Sequence, residues 1–299
     1  MENNNLIVLI DGFSQIFRGF HAVPDLTNQR GEPINALLSF ARFLLSIDNS
    51  LEAAHGAVVL DKGPPAQRLE IYPEYKADRP PVPEKLEAQI PAIKEWSAAA
   101  GWPILEKEGA EADDIIAAIC SARENYKVRI ISADKDLAQL VKAEEVVQLI
   151  PQKGKKLARL GAEEIKDKYG ICPEQIVDYL AMLGDPSDNV KGIEGIGKKT
   201  AASLLNEFGN IDNILRNISN ISNKKIRETL DQGSDTLKRN RRLINLDREL
   251  PENWHGINSI KRKAPDWERL IEIANDKQLN SLVKTLTDNS NQSRSPMLF

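Results

Sequence analysis

Two hydrophobic periodicities run along the chain, and the change from one to the other divides it. Leu6-Ile7-Val8-Leu9-Ile10 is an unbroken apolar run of strand length ending in Asp11-Gly12. Such a run suits a parallel strand buried on both faces. Gly56-Ala57-Val58-Val59-Leu60, before Asp61, repeats the pattern, and Val128-Arg129-Ile130-Ile131-Ser132 leads to Asp134 and Asp136. Pro103 to Leu105 and Val146 to Ile150 read as two further strands. Between them the spacing turns helical over 35–45, 83–100, 112–123 and 137–141, an alternation that predicts an α/β core with a mostly parallel sheet. The stretch 62–83 is rich in Pro, Lys and Arg and reads as an exposed, mobile segment.

After about residue 160 the strand signals stop. Helices are expected over 161–169, 173–183, 198–208, 211–218, 223–232, 234–247 and 266–285. The expected organisation is therefore an α/β core over 1–165, a helical part over 166–287 and a disordered Ser/Asn-rich tail over 288–299. No repeat of solenoid period is present.

Composition narrows the chemistry. The 299 residues are 41% hydrophobic, enough for a sizeable core, and no apolar run of 18 or more residues suggests a membrane span. The polar start Met1-Glu2-Asn3-Asn4-Asn5 lacks an apolar signal core, so a cytoplasmic protein is expected. Two distant cysteines, Cys120 and Cys172, and three histidines, His21, His55 and His255, argue against a zinc site or a disulfide framework. The net charge of −4 argues weakly against nucleic acid. From 151 to 242, however, seventeen Lys/Arg stand against thirteen Asp/Glu. A basic face around an acidic centre suits a protein that grips phosphates and holds cations between them.

The acids recur in one kind of place. Asp11 and Asp61 follow buried strands, and Asp134 and Asp136 follow a third. In parallel sheets ligands bind beyond the carboxyl ends of the strands, so these four acids would face one crevice. Glu111, Asp113 and Asp114 open a helix after a fourth strand, and Asp185 and Asp188 share a face if their segment is helical. Carboxylates so crowded repel and raise one another's pKa. Hard divalent cations such as Mg²⁺ relieve this, and two of them roughly 3.5–4 Å apart form the phosphodiesterase arrangement. A single Asp after a strand is more often a turn or a cap, and Glu111, Asp113 and Asp114 could simply favour a helix N-terminus. Nine such acids are harder to explain that way.

The second feature is Gly192-Ile193-Glu194-Gly195-Ile196-Gly197-Lys198-Lys199-Thr200. Its glycine spacing is neither the dinucleotide fingerprint nor a P-loop. Set between two helices, it reads as a helix-hairpin-helix: glycines let the backbone approach a phosphate, and the next helix offers free N–H groups. Such contacts position a duplex without reading its sequence. A plain interhelical turn is the alternative. Arg18, Tyr75, Lys76 and Arg79 could contact phosphate or stack on a base, or be solvated side chains. Lys153, Lys155, Lys156 and Arg159 form a basic turn, and Lys238, Arg239, Arg241 and Arg242 a charged helix face.

At these residues the chain resembles the 5′-nuclease domain of bacterial DNA polymerase I, within the flap endonuclease superfamily. The matching stretches are LIVLIDGFSQIFRGFHA at 6–22, NQRGEPINAL at 28–37, YPEYKADRPPVP at 72–83, EGAEADDIIA at 108–117, ISADKDLAQLV at 131–141 and KYGICPEQIVDYLAMLGDPSDNVKGIEGIGKKTA at 168–201. A weaker match, RKAPDWERLIEIANDKQLNSLVKTL, lies at 262–286. The resemblance implies a PIN-like α/β nuclease core and two divalent ions, Mg²⁺ or Mn²⁺. Asp11, Asp61, Glu111, Asp113 and Asp114 would hold the first, and Asp134, Asp136, Asp185 and Asp188 the second. It further implies that Lys76 and Arg79 sit on an arch and, with Arg18, stabilise the scissile phosphate. The hairpin would bind duplex DNA, in this family often with K⁺.

The implied substrates are DNA with 5′ flaps or 5′ ends and RNA primer–DNA hybrids, in replication and repair. Departures from the family pattern stand at Gln67-Arg68, where Phe-Arg is usual, at Phe13, Phe17 and Phe20, and at Leu38-Ser39, where Tyr-Gly is usual. They bear on substrate contacts more than on catalysis. A ribonuclease of the PIN type and a non-catalytic DNA-junction binder are the competing readings.

Overall fold

The first strand, β1 (Leu6–Asp11), pairs in parallel with β2 (His55–Val59) on one side and β4 (Lys127–Ile131) on the other. The computed structural model describes residues 5–23, 25–48, 50–153, 156–248, 250–252 and 254–294. β3 (Ile104–Leu105) extends the sheet beyond β2, and β5 (Val146–Pro151) extends it beyond β4, both in parallel. β6 (Leu157–Leu160) closes the edge antiparallel to β5, giving the order β3-β2-β1-β4-β5-β6. The mostly parallel sheet expected from the apolar runs is present. The antiparallel β6 was not expected, because Leu157-Ala158-Arg159-Leu160 is short and runs on directly from the basic stretch before it.

Successive side chains of a strand point to opposite faces, so each strand feeds two cores. Val8, Ile10, Val58, Leu60 and Ile131 face α1 (Gly12–Ala22) and α2 (Asn35–Asp48) within one apolar cluster. Ile7, Leu9, Ala57, Val59, Val128 and Ile130 face the other way, into a cluster with Ile115, Ile116 and Ile119 of α6 (Ala112–Ser121). α1 was not expected, although Phe13, Ile16, Phe17 and Phe20 hold helical spacing and the Asp11 side chain caps its start. The segment read as exposed over 62–83 contains a short helix, α3 (Ala66–Ile71). The helix expected over 83–100 divides into α4 (Glu84–Glu87) and α5 (Ile90–Ala99), with Pro91 in the first turn of the latter. The helix expected at 137–141 is a tight 3₁₀ turn, Asp136–Leu140.

The helical part has its own core. α7 (Ala162–Tyr169), α8 (Ile176–Leu183), α9 (Lys198–Phe208), α10 (Ile211–Arg216), α11 (Lys224–Gln232) and α12 (Ser234–Ile244) bury Ile165, Tyr179, Leu180, Met182, Leu204, Leu205, Ile214, Leu230 and Leu237 together.

The chain then returns to the α/β core, which differs from the single helical part expected over 166–287. The Arg262 amide donates to the Ala54 carbonyl at 2.9 Å, and its guanidinium lies 3.9 Å from the Trp102 ring centroid. α13 (Trp267–Asp276) and α14 (Asn280–Arg294) add Leu270, Ile273, Leu282 and Leu286 to the cluster of Val8 and Phe40. The expected disordered tail is also corrected as far as Arg294. Leu282, Leu286 and Ser290, four residues apart, are buried along one face, which holds the helix in place despite its Ser/Asn-rich sequence. The remainder of that tail, 295–299, the first four residues and Lys155 of the basic turn lie outside the described residues.

Candidate metal centre and nucleic-acid interface

The carboxyl ends of β1, β2 and β4 open on a crevice of about 350 Å³, lined by Asp11, Asp61, Glu111, Asp113 and Asp134 together with Lys76 and Arg79. Asp11 ends β1, and its carboxylate accepts hydrogen bonds from the Ser14 amide at 3.1 Å and the Ser132 hydroxyl at 2.6 Å. Asp61 accepts the Ala112 amide at 2.6 Å, which fixes the end of β2 against the first turn of α6. Asp134 accepts the Asp136 amide at 2.8 Å. Parallel strands thus deliver the acids to one place, as the sheet topology requires.

Asp185 and Asp188 arrive from the helical part. They lie on a small hairpin, β7 (Gly184–Asp185) and β8 (Val190–Lys191), inserted between α8 and the glycine turn. Carboxylate oxygens of Asp136, Asp185 and Asp188 all lie within 4.8 Å of one another. The Asp185 side chain is held by the Ser187 amide at 3.0 Å and hydroxyl at 2.7 Å, and by Lys135 at 3.0 Å.

Crowding and burial set the electrostatics. Burial above all, with Asp61 and Asp134 nearby, pushes the Asp11 carboxyl up to about 7 against the pull of its hydrogen bonds from Ser132 and Ser14. Burial, then the charges of Asp134 and Asp185, pushes Asp136 up to about 7. Asp113 is raised well above its ordinary value by burial and by Asp134 and Asp11. Asp134 is raised by burial, with partial relief from the Asp136 amide. At Asp185 burial works upward but is outweighed by the bonds from Ser187 and Lys135, and the carboxyl lies below its ordinary value. A buried Asp136 oxygen, Oδ1, has no hydrogen-bond partner. Unpartnered, mutually repelling carboxylate oxygens are the donor set that hard divalent cations take.

Not every expected ligand faces this crevice. Both oxygens of Asp114 are engaged elsewhere: Arg68 grips them in two bonds of 2.6 and 2.8 Å, and the Asp247 amide donates to Oδ1 at 2.8 Å. Being adjacent on α6, Asp113 and Asp114 point about 100° apart, so one lines the crevice and the other a separate cavity, a distinction lost when the motif is read as a block. Tyr75, expected to contact DNA, is only 7% exposed; its hydroxyl donates to Asp188 at 2.8 Å and lies 3.3 Å from Glu111. Its ring is packed against Val190 and Leu243 rather than standing on the surface. Arg18 lies outside the crevice: its guanidinium donates to the Pro151 carbonyl, and it lines a separate cavity with Arg42, Phe43 and Lys156.

The remaining cations meet the acids directly. Lys76 is ion-paired with Glu111, and Arg79 reaches Asp188 at 2.5 Å. The Lys76 amide also donates to the Asp188 carbonyl at 3.0 Å, so the exposed segment is pinned to the acidic hairpin. Sequence reasoning passed over Ser132, Lys135 and Arg68 as partners of the acids. The first two stand within the ISADKD stretch itself, and Arg68 follows Gln67, seven residues after Asp61.

The glycine turn is built as a cradle. The Ile193 amide donates to the Met182 carbonyl at 2.8 Å and the Ile196 amide to the Ile193 carbonyl at 3.1 Å, while both isoleucine side chains are buried in the helical core. Gly195 takes a left-handed φ of 76°, and a Cβ at Gly195 or Gly197 would meet nothing within 4 Å. Gly197 starts α9 without a side-chain cap, and Lys198 and Lys199 are exposed beside it. Gly192 and Thr200 are half-buried at the two ends of the turn.

Two family models cover most of the chain: "5′-3′ exonuclease, N-terminal resolvase-like domain" over residues 6–170 and "5′-3′ exonuclease, C-terminal SAM fold" over 171–268. A 5′-3′ exonuclease of Aquifex aeolicus is 36% identical over 98% of this chain and 99% of its own length. DNA polymerase I of Thermus aquaticus is 37% identical over 94% of this chain, and that of Bacillus caldotenax 33% identical over 97%; the chain spans 33% of the length of each. The fold matches the T5 5′-exonuclease with bound zinc at a TM-score of 0.66 and 24% identity, over 95% of this chain and 98% of that one. It matches the catalytic core of Rad2 in complex with DNA substrate at 0.62 and 15% identity, over 92% and 87%.

Proposed function

Because the chain belongs to the 5′-3′ exonuclease family, we propose that it hydrolyses DNA phosphodiesters from the 5′ side, at 5′ ends and at flaps. The carrying observation is that acids from three strand ends and the start of α6 line one crevice beside Lys76 and Arg79, and that both of these cations also reach Asp188 of the neighbouring Asp136, Asp185 and Asp188 cluster. Asp11, Asp61, Glu111, Asp113 and Asp134 would hold one divalent ion, Mg²⁺ or Mn²⁺, and Asp136, Asp185 and Asp188 would hold a second. Bound there, such ions activate water and neutralise the charge that develops on the transferred phosphate.

The chain's own groups would do the rest. Lys76 and Arg79 would release their acids and bind the scissile phosphate oxygens. The N–H groups at the start of α9, with Lys198 and Lys199, would hold a phosphate of the duplex, and the carbonyls of the turn at 192–197 suit a K⁺ ion there. Contacts of this kind ignore base sequence, so affinity should fall steeply with salt. Removal of flaps and of RNA primers from hybrids with DNA, in replication and repair, is the use such an activity fits.

The test is cleavage of a 5′-labelled DNA flap with Mg²⁺, with Mn²⁺ and with chelator, beside an all-RNA flap. Metal-dependent release of a short 5′ product from the DNA flap is expected. Preference for the all-RNA flap would favour a ribonuclease, and tight binding without cleavage in either metal a junction-binding protein. Asp113→Ala and Asp185→Ala should abolish cleavage while leaving DNA binding in place; loss of folding in both would make these acids structural.

A further inference from the structure

We propose that Arg68 is a positioning residue that holds Glu111 in the crevice and ties its place to the seating of the helical part on the α/β core. The proposal rests on the metal-dependent nuclease reading above. Arg68 lies in α3, at the base of the segment bearing Lys76 and Arg79, and is only 6% exposed. Its Nη1 lies 2.6 Å from Asp114 Oδ2 and 2.8 Å from Glu111 Oε2. Nη2 donates to Asp114 Oδ1 at 2.8 Å, and Nε donates to the Leu243 carbonyl at 2.9 Å. One planar cation therefore bolts together α3, the first turn of α6 and the last turn of α12.

The third carboxylate gives this arrangement a role beyond that of a strut. The bidentate pair with Asp114 would by itself join the helices, and the fork geometry of a guanidinium suits it. Glu111 is not needed for that, and it lines the crevice. Asp114 is saturated by Arg68 and the Asp247 amide, with the Glu111 amide at 3.3 Å, so its oxygens orient Arg68. The contacts also continue toward the glycine turn. Asn240 of α12 donates to the carbonyls of Ala181 at 3.0 Å, in the last turn of α8, and Lys191 at 2.8 Å, at the end of the acidic hairpin. A shift of the helical part on the core is thus felt at Glu111 through Leu243 and Arg68.

The test uses the full chain carrying Arg68→Lys, Asp114→Asn and both together. Melting temperature, Mn²⁺ binding by electron paramagnetic resonance without DNA, and kcat and KM on a 5′-flap DNA are measured. Lysine keeps the charge but cannot span Asp114, Glu111 and Leu243 at once. Groups that orient metal ligands influence affinity or rate by about 10–100-fold. Each single variant should fold, keep KM within about twofold, and lose about that factor in kcat and in Mn²⁺ affinity. The double variant should be little worse than the worse single, because the two residues act as one unit.

A lowered melting temperature with wild-type kcat and Mn²⁺ binding would overturn the proposal, as would multiplying losses in the double variant. Should Arg68→Lys not fold, Asp114→Asn decides by the same readouts. Absence of any cleavage by the unmodified protein would count against the nuclease reading instead, and is seen before any variant is made.

Discussion

Lys76 is ion-paired with Glu111 Oε1 and stands 4.0 Å from Asp188 Oδ2, so one ammonium of the protein lies between an acid of the α/β core and an acid of the helical part. A divalent cation drawn to the same oxygens must compete with it. At such range a unit charge still matters after screening, on the order of 4 kcal/mol near a protein surface. Lys76→Ala should therefore bind Mn²⁺ more tightly without DNA, by roughly threefold or more, yet cleave flaps about 10²–10³ times more slowly, since a phosphate-stabilising group is gone. Electron paramagnetic resonance titration and single-turnover cleavage read the two effects separately. Weaker Mn²⁺ binding in the variant would show that Lys76 supports the site rather than competing for it.

The acids also set a pH dependence of stability. Asp11 and Asp136 titrate near 7 in the folded protein, against about 4 when unfolded, chiefly because they are buried. Between those values the folded state binds more protons than the unfolded state, so stability falls as pH rises through about 7. Chelated protein should melt at a higher temperature at pH 5.5 than at pH 8. Mg²⁺ should raise the melting temperature more at pH 8, where the carboxylates are free to bind it. Calorimetry at the two pH values, with and without Mg²⁺, checks both signs; a chelated protein that stabilises as pH rises would contradict the crowded-acid account.

Two glycines of the turn separate folding from DNA contact. A Cβ at Gly192 would drive into the Leu183 carbonyl at the end of α8, whereas one at Gly197 meets open space with an ordinary φ of −94°. Gly192→Ala should cost stability, about 1–3 kcal/mol as for an overpacked core. Gly197→Ala should leave the melting temperature nearly unchanged while weakening flap binding several-fold, because its methyl occupies the approach to the free N–H groups of α9. Fluorescence anisotropy with labelled flap DNA at fixed salt, beside thermal melts, distinguishes them; unchanged affinity in Gly197→Ala would place the duplex elsewhere.

Part of this design was legible in the chain and part was not, for a physical reason. A buried parallel strand must be continuously apolar, so β1, β2 and β4 stood out, and the acids at their ends came with them. The ISADKD and GDPSDN stretches named Asp134, Asp136, Asp185 and Asp188 because local spacing constrains them. What a side chain faces across the fold is not a local property. Asp113 and Asp114 are neighbours in sequence, yet one lines the crevice and the other is locked to Arg68, forty-six residues away. Tyr75 could be read as a phosphate contact, a stacking ring or a solvated side chain, and its sequence neighbours give no sign that its hydroxyl sits between Glu111 and Asp188. The return of the chain after α12 to the first core was hidden for the same reason: amphipathic helices declare that they have a buried face, not which core receives it.

That return makes the C-terminal helix a sensitive point. Leu286 is fully buried with Leu270, Ile273, Phe40 and Trp96 in the cluster beneath α2 and α5, although a Ser/Asn-rich stretch follows it directly. Truncating such a side chain removes its transfer free energy and leaves a cavity that the close-packed neighbours fill only in part. Leu286→Ala should lower stability by about 2–5 kcal/mol. The acids of the crevice and of the adjoining cluster come from strand ends, the start of α6, the turn after β4 and the hairpin at 184–191, none of which includes α14. Flap cleavage per folded molecule, measured well below the melting transition, should therefore stay within about twofold of the unmodified protein. Urea titration gives the stability difference, and the same preparation assayed at low temperature gives the activity. A variant as stable as the unmodified protein would mean that α14 contributes little to the core and that the fold closes without it.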